Sequence, residues 1–130
     1  MYDLAVRLKD FGNSLFENSG ITFFMDEIPG SYKDTSLTMN SKRHLVYIFK
    51  EGMNNILKYS NSTSVNLHLN YENGSINITL EDNGIGFENN NNSKGYGLKN
   101  IAVRTKQING TVDIISGRNK GTTIKLVAKL

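Results

Sequence analysis

Apolar and polar residues alternate along this chain with two distinct periods. Leu4, Leu8, Phe11 and Leu15 fall at i, i+4, i+7 and i+11, one face of a helix over residues 2–19, with Gly20 as its stop. Ile21-Thr22-Phe23-Phe24-Met25 reads as a strand. Residues 26–38 hold the chain's single proline, Pro29, directly before Gly30, and read as a loop. A second helix, capped by Asn40 or Ser41, runs to about Tyr59 on a stripe of Leu45, Ile48, Phe49, Gly52 and Ile56, with Met53 at its edge. Val65, Leu67 and Leu69 then alternate with polar residues, as do Ile76, Ile78 and Leu80. Asn73-Gly74 between the two runs predicts a hairpin. A third helix from Gly97 to Asn109 turns Leu98, Ile101, Ala102, Thr105 and Ile108 inward and ends at Gly110. Two strands follow, one with Val112 and Ile114, the other with Ile124, Leu126 and Ala128, joined by a turn over Gly117–Gly121.

Half-buried strands and one-striped helices predict an α+β fold: a two-layer sandwich of a mixed, mostly antiparallel sheet with three helices on one face. No internal repeat or linker splits the 130 residues.

Composition narrows the function. The chain lacks cysteine, which excludes disulfides, thiol nucleophiles and thiolate zinc sites and fits a reducing compartment. The net charge of +3 is spread along the chain rather than clustered, so the footprint of a nucleic-acid binder is missing. No apolar run is long enough to span a bilayer, and the first residues do not follow a signal-peptide pattern. His44 and His68 have no metal-ligand spacing and read as surface residues.

Residues 82–98 carry the candidate chemistry. Asp82-Asn83-Gly84-Ile85-Gly86-Phe87 ends a strand. The run Glu88–Lys94, without an apolar residue, leads to Gly95-Tyr96-Gly97-Leu98 at a helix start. Glycines let backbone approach a ligand, and a helix N-terminus offers N–H groups to phosphate. The dinucleotide fingerprint, the phosphate loop and the nucleophile elbow are all absent. On the second helix Glu51, Asn55 and Lys58 share a face, which by itself is compatible with a solvated stripe.

Four boxes taken in order make the chain resemble the ATP-binding catalytic domain of sensor histidine kinases, within the gyrase, heat-shock chaperone, histidine kinase and mismatch-repair (Bergerat-fold) ATPases. They are Glu51 to Tyr59 with Asn55 and Lys58, Asp82 to Phe87, Gly95 to Leu98, and Gly121-Thr122-Thr123. The resemblance covers about residues 21–130, which makes residues 20–130 the ATP-binding domain and residues 1–19 a helical connection to an upstream domain. The short polar run resembles the ATP lid of kinases similar to nitrate and membrane-fluidity sensors.

The resemblance implies roles. Asp82 would accept from the adenine amino group, Thr122 would support it through water, and Gly84, Ile85 and Gly86 would pass beneath the base. Asn55 would hold Mg²⁺, Lys58 would contact phosphate, and Tyr59 would lie near the ligand. Gly95, Tyr96, Gly97 and Leu98 would present N–H groups to the phosphates, with Lys94 in reach. Glu51 stays open. It would activate water, as in superfamily members that hydrolyse ATP, or orient Mg²⁺-bound water, or tune the acceptor. The implied activity is transfer of the γ-phosphoryl of Mg-ATP to a histidine on a separate dimerisation domain, then to a response regulator. The parent would be a homodimer anchored in a bacterial inner membrane, with this domain cytoplasmic and monomeric when isolated. The alternatives are an anti-sigma-factor type serine kinase and a non-catalytic ATP-sensing interaction module.

Overall fold

A computed structural model describes residues 1–85, 98–117 and 119–129. The order is α1 (Tyr2–Phe16), β1 (Thr22–Met25), a 3₁₀ turn (Gly30–Asp34), α2 (Met39–Tyr59), β2 (Ser64–Glu72), β3 (Ser75–Asp82), α3 (Leu98–Gln107), β4 (Gly110–Ser116) and β5 (Thr122–Lys129). The five strands form one sheet in the order β1-β2-β3-β5-β4. β1 pairs with β2 in parallel and every other pairing is antiparallel. A parallel neighbour needs a crossover, and α2 supplies it. The expected α+β architecture is the one observed.

The hairpin forms as its sequence dictates. Asn73 and Gly74 both take positive φ, 52° and 79°, the left-handed pair that a tight two-residue turn needs. Register then lays the core face of the sheet out in rungs. Leu67, Leu80, Ile124 and Ile114 are cross-strand partners in one, and Leu69, Ile78, Leu126 and Val112 in the next. Tyr71, Ile76, Ala128 and Gly110 form another. The rung at the opposite end differs: Val65, Asp82, Thr122 and Ser116. An apolar sheet face thus ends in a row whose last three members are polar.

The helices cover this face. α2 buries Leu45, Ile48, Phe49, Gly52, Met53 and Ile56, the stripe its periodicity predicts. Its cap is Thr38, whose side chain accepts from the Ser41 N–H at 3.1 Å, rather than Asn40 or Ser41. α1 buries Leu4, Ala5, Leu8, Gly12 and Phe16, while Phe11 and Leu15 are only partly buried. The stripe is rotated because Phe23 of β1 lies against Gly12, where a Cβ would stand 2.4 Å from the ring. α1 and α2 therefore share one core.

α3 is fastened to α2 by a polar stack. The Arg104 guanidinium lies 3.6 Å from the centre of the Tyr47 ring, and its Nη1 is 3.3 Å from His44 Nδ1. Asn109, with φ 55°, makes the left-handed stop after α3, and Gly110 already belongs to β4. On the open sheet face His68 sits between Asp26 and Glu81, its ring nitrogens 3.3 and 3.5 Å from their carboxylate oxygens.

Candidate nucleotide site

At the polar end of the sheet, α2 and α3 part and leave a hollow of about 480 Å³, open mouth included. Gly52, Asn55, Ile56, Tyr59 and Ser60 line it from the α2 side, Leu98 from α3, and Leu80, Asp82, Thr122 and Ile124 from the sheet. An apolar slot with a few polar groups at one end is the usual form of a small-molecule site.

Asp82 is the buried acid of this hollow, 8% exposed. It is the last residue of β3, so its side chain hangs from the same face as Leu80. Oδ1 accepts from the Gly84 N–H at 2.7 Å. Burial raises its pKa above the ordinary value of 3.8, and the N–H groups of Gly84 and Thr122 oppose that rise by stabilising the charge.

The loop after Asp82 is docked on the C-terminal end of α2. Ser60 closes that helix: its N–H donates to the Ile56 carbonyl at 3.2 Å, and its Oγ donates to the same oxygen at 2.6 Å. The Ser60 carbonyl in turn accepts from the Ile85 N–H at 2.8 Å. Gly84 fits beneath, since a Cβ there would lie 2.1 Å from the Ser60 oxygen. Its missing side chain makes room for the backbone of α2's end. Gly121 does likewise on the other side. Its φ is +74°, and a Cβ would meet the Asp82 carbonyl at 2.0 Å.

The site residues expected from sequence are distributed as follows. Asn55, Tyr59, Asp82, Leu98 and Thr122 come together around the hollow. Gly84 and Ile85 form the loop at its edge, with Ile85 45% exposed. Glu51 and Lys58 lie on α2 but do not line the hollow, and Lys58 is exposed. Gly86, Lys94, Gly95, Tyr96 and Gly97 lie outside the described residues. Sequence reasoning left out Ser60, Leu80 and Ile124 as site residues, and took Gly52 and Ile56 only as helix stripe. Leu80 and Ile124 are legible as site residues once Asp82 and Thr122 are, being two residues along the same strands. Among the described residues no group of three His, Asp or Glu side chains is placed to hold a metal ion, and no helix is long and apolar enough to cross a membrane.

Comparison with known proteins fits this geometry. The profile of the histidine kinase-, DNA gyrase B- and HSP90-like ATPases matches residues 40–130, and the chain belongs to that family. It is 28% identical over 116 residues to the sensor histidine kinase LiaS of Bacillus subtilis strain 168, across 82% of this chain and 32% of LiaS. It is 32% identical over 99 residues to the sensor protein VraS of Staphylococcus aureus strain COL, across 75% of this chain and 28% of VraS. The chain thus spans about a third of the length of the curated relatives it matches. The histidine kinase domain of the blue-light activated kinase from Erythrobacter litoralis EL346 superposes with a TM-score of 0.77 at 15% identity, over 98% of this chain and 61% of that one. Full-length ShkA in complex with AMPPNP gives 0.75 at 17% identity, over 96% of this chain and 29% of ShkA.

Proposed function

We propose that the hollow binds Mg-ATP and that the chain is the catalytic domain of a two-component sensor kinase, handing the γ-phosphoryl group to a histidine on a separate dimerisation domain. The observation that carries this reading is the Asp82 carboxylate, buried at the polar end of an otherwise apolar slot. Beyond the Gly84 and Thr122 N–H groups the carboxylate keeps lone pairs to accept with, and the adenine amino group is a donor for them. Guanine places a carbonyl oxygen there, which would leave two acceptors facing each other.

The residues fit a nucleotide. Leu80, Ile56 and Ile124 supply apolar walls for a base. The N-terminus of α3 opens at Leu98 on the rim, where the first-turn N–H groups of a helix suit phosphate, and Gly95, Tyr96 and Gly97 would extend that grip. Asn55 would hold magnesium through its side-chain oxygen, consistent with an ion that relies on phosphates and water more than on a protein cage. Lys58 would add positive charge, and Glu51, one turn before Asn55, would orient the metal's water or tune the acceptor. Once bound, the ion supplies charge neutralisation, while the protein positions the phosphate. The acceptor histidine, the response regulator, a homodimeric membrane-anchored parent and a cytoplasmic setting belong to the same proposal. They are supported by the names of the relatives and by family resemblance. In it, α1 is the connection toward the dimerisation domain.

Titration calorimetry with ATP and magnesium, followed by transfer of labelled phosphate to a supplied two-helix phosphoacceptor domain, tests the reading. Heat at millimolar nucleotide and label on histidine are expected. No heat overturns it. Label on serine of a supplied partner would overturn the acceptor assignment alone.

A further inference from the structure

Behind Thr122, away from Asp82, stands Ser116, the last member of the polar rung. Ser116 Oγ donates to the Gly121 carbonyl at 3.2 Å and lies 2.9 Å from Thr122 Oγ1. A hydroxyl has one hydrogen to give. Distance alone lets either hydroxyl donate to the other; with the Ser116 hydrogen on the Gly121 carbonyl, which can only accept, Thr122 is the donor. In that arrangement the Thr122 hydrogen is turned toward Ser116, on the side away from Asp82 in the rung, and the hydroxyl's lone pairs are left for the hollow. Gly121 is held in place for this by its positive φ and its close packing on the Asp82 carbonyl.

We propose that Ser116 is a specificity-determining positioning residue: it fixes the Thr122 hydroxyl as an acceptor, so that the polar end of the hollow presents acceptors only. This rests on the reading of the hollow as a nucleotide site. A purine with an amino group at C6 then meets two acceptors with hydrogens to give. A 6-oxo purine meets the same two groups with a third acceptor and is rejected twice, once by Asp82 and once by Thr122. Val65, at the other end of the rung, has no polar side-chain atom.

The test compares ATP with inosine triphosphate, both with magnesium, by titration calorimetry on the wild-type protein, Ser116→Ala and Ser116→Thr. Removing Ser116 frees the Thr122 hydroxyl to turn and donate to a 6-oxo group. The ATP-to-inosine preference is expected to fall about 3- to 10-fold in Ser116→Ala, the worth of one neutral hydrogen bond. It should return in Ser116→Thr, which keeps the hydroxyl on a β-branched side chain suited to a strand. A merely structural role would weaken both nucleotides together and leave their ratio alone. Thr122→Val supplies a second route. It keeps shape and removes the oxygen, so the ratio should fall similarly, and Ser116→Ala added to it should change nothing further. An unchanged ratio in Ser116→Ala, with wild-type ATP binding intact, overturns this inference alone. Absence of ATP binding in the wild type overturns it together with the nucleotide reading.

Discussion

Asn83 and Thr63 hold each other by two hydrogen bonds. The Thr63 N–H donates to Asn83 Oδ1 and the Asn83 amide donates to Thr63 Oγ1, each at 2.9 Å. The same Oδ1 accepts from the Ser64 N–H at 3.0 Å. One side chain thus ties the residue after Asp82 to the start of β2. Asn83→Ala is expected to cost about 1–2 kcal/mol, less than the sum of three bonds because the group is exposed and water replaces them. Urea denaturation measures the loss. A change under 0.3 kcal/mol would show that the contact contributes nothing.

Packing of the Asp82 loop makes a second prediction. Gly84→Ala places a methyl against the Ser60 carbonyl, which is backbone and cannot swing aside. A loss of roughly 1–3 kcal/mol is expected from overpacking. Gly121→Ala should lose more, since strain at positive φ adds to a contact just as close. Thermal melts that rank the two in the opposite order would contradict the geometry.

Asp82 carries the pH dependence. Burial raises its pKa in the folded chain, so the native state holds this proton more tightly than the unfolded one. Below the ordinary value of 3.8 both states are protonated and the group's favourable contribution is fully present. As pH rises through the window up to the raised native value, that contribution is lost. Asp82→Asn removes the titration. Its stability relative to wild type should therefore improve as pH rises through that window, in urea melts from pH 3 upward. The opposite slope would show that the two N–H donors outweigh burial. ATP affinity should move the other way, falling about 10- to 100-fold in Asp82→Asn as a charged acceptor is removed.

The stack of Arg104 on Tyr47 predicts an inequality between two substitutions. Arg104→Ala should cost about 0.5–2 kcal/mol, the worth of a partly shielded cation on a ring. Arg104→Lys should recover less than half, because an ammonium cannot lie flat on tyrosine while also reaching His44. Full recovery with lysine in a denaturation series would show that charge alone matters.

Much of this was legible beforehand. The α2 stripe, the Asn73-Gly74 turn and the inward residues of β2, β3 and β5 follow from period and turn chemistry, which are local. The α1 face was legible in part: Leu4 and Leu8 are buried as expected, whereas Gly12 and Phe16 face the core because Phe23 docks on the helix. The helix cap moved to Thr38 because Thr38, Asn40 and Ser41, within four positions, could each have served. In the site, Asp82 and Asn55 stood out by resemblance. Ser116 did not, since beside a glycine turn it reads as a turn residue. It acquires meaning only when register sets it opposite Thr122.

The core described above reaches further toward the N-terminus than the match to the family profile does. Leu4, Leu8, Phe16 and Tyr32 are buried in the same cluster as Ile48 and Phe49, yet all four precede residue 40, where the family match begins. A protein trimmed to the matching stretch would leave greasy flanks of α2 uncovered and would be expected to clump or melt early. The stretch that the profile marks is shorter than the stretch that shares one core, and a version cut for expression should keep the second.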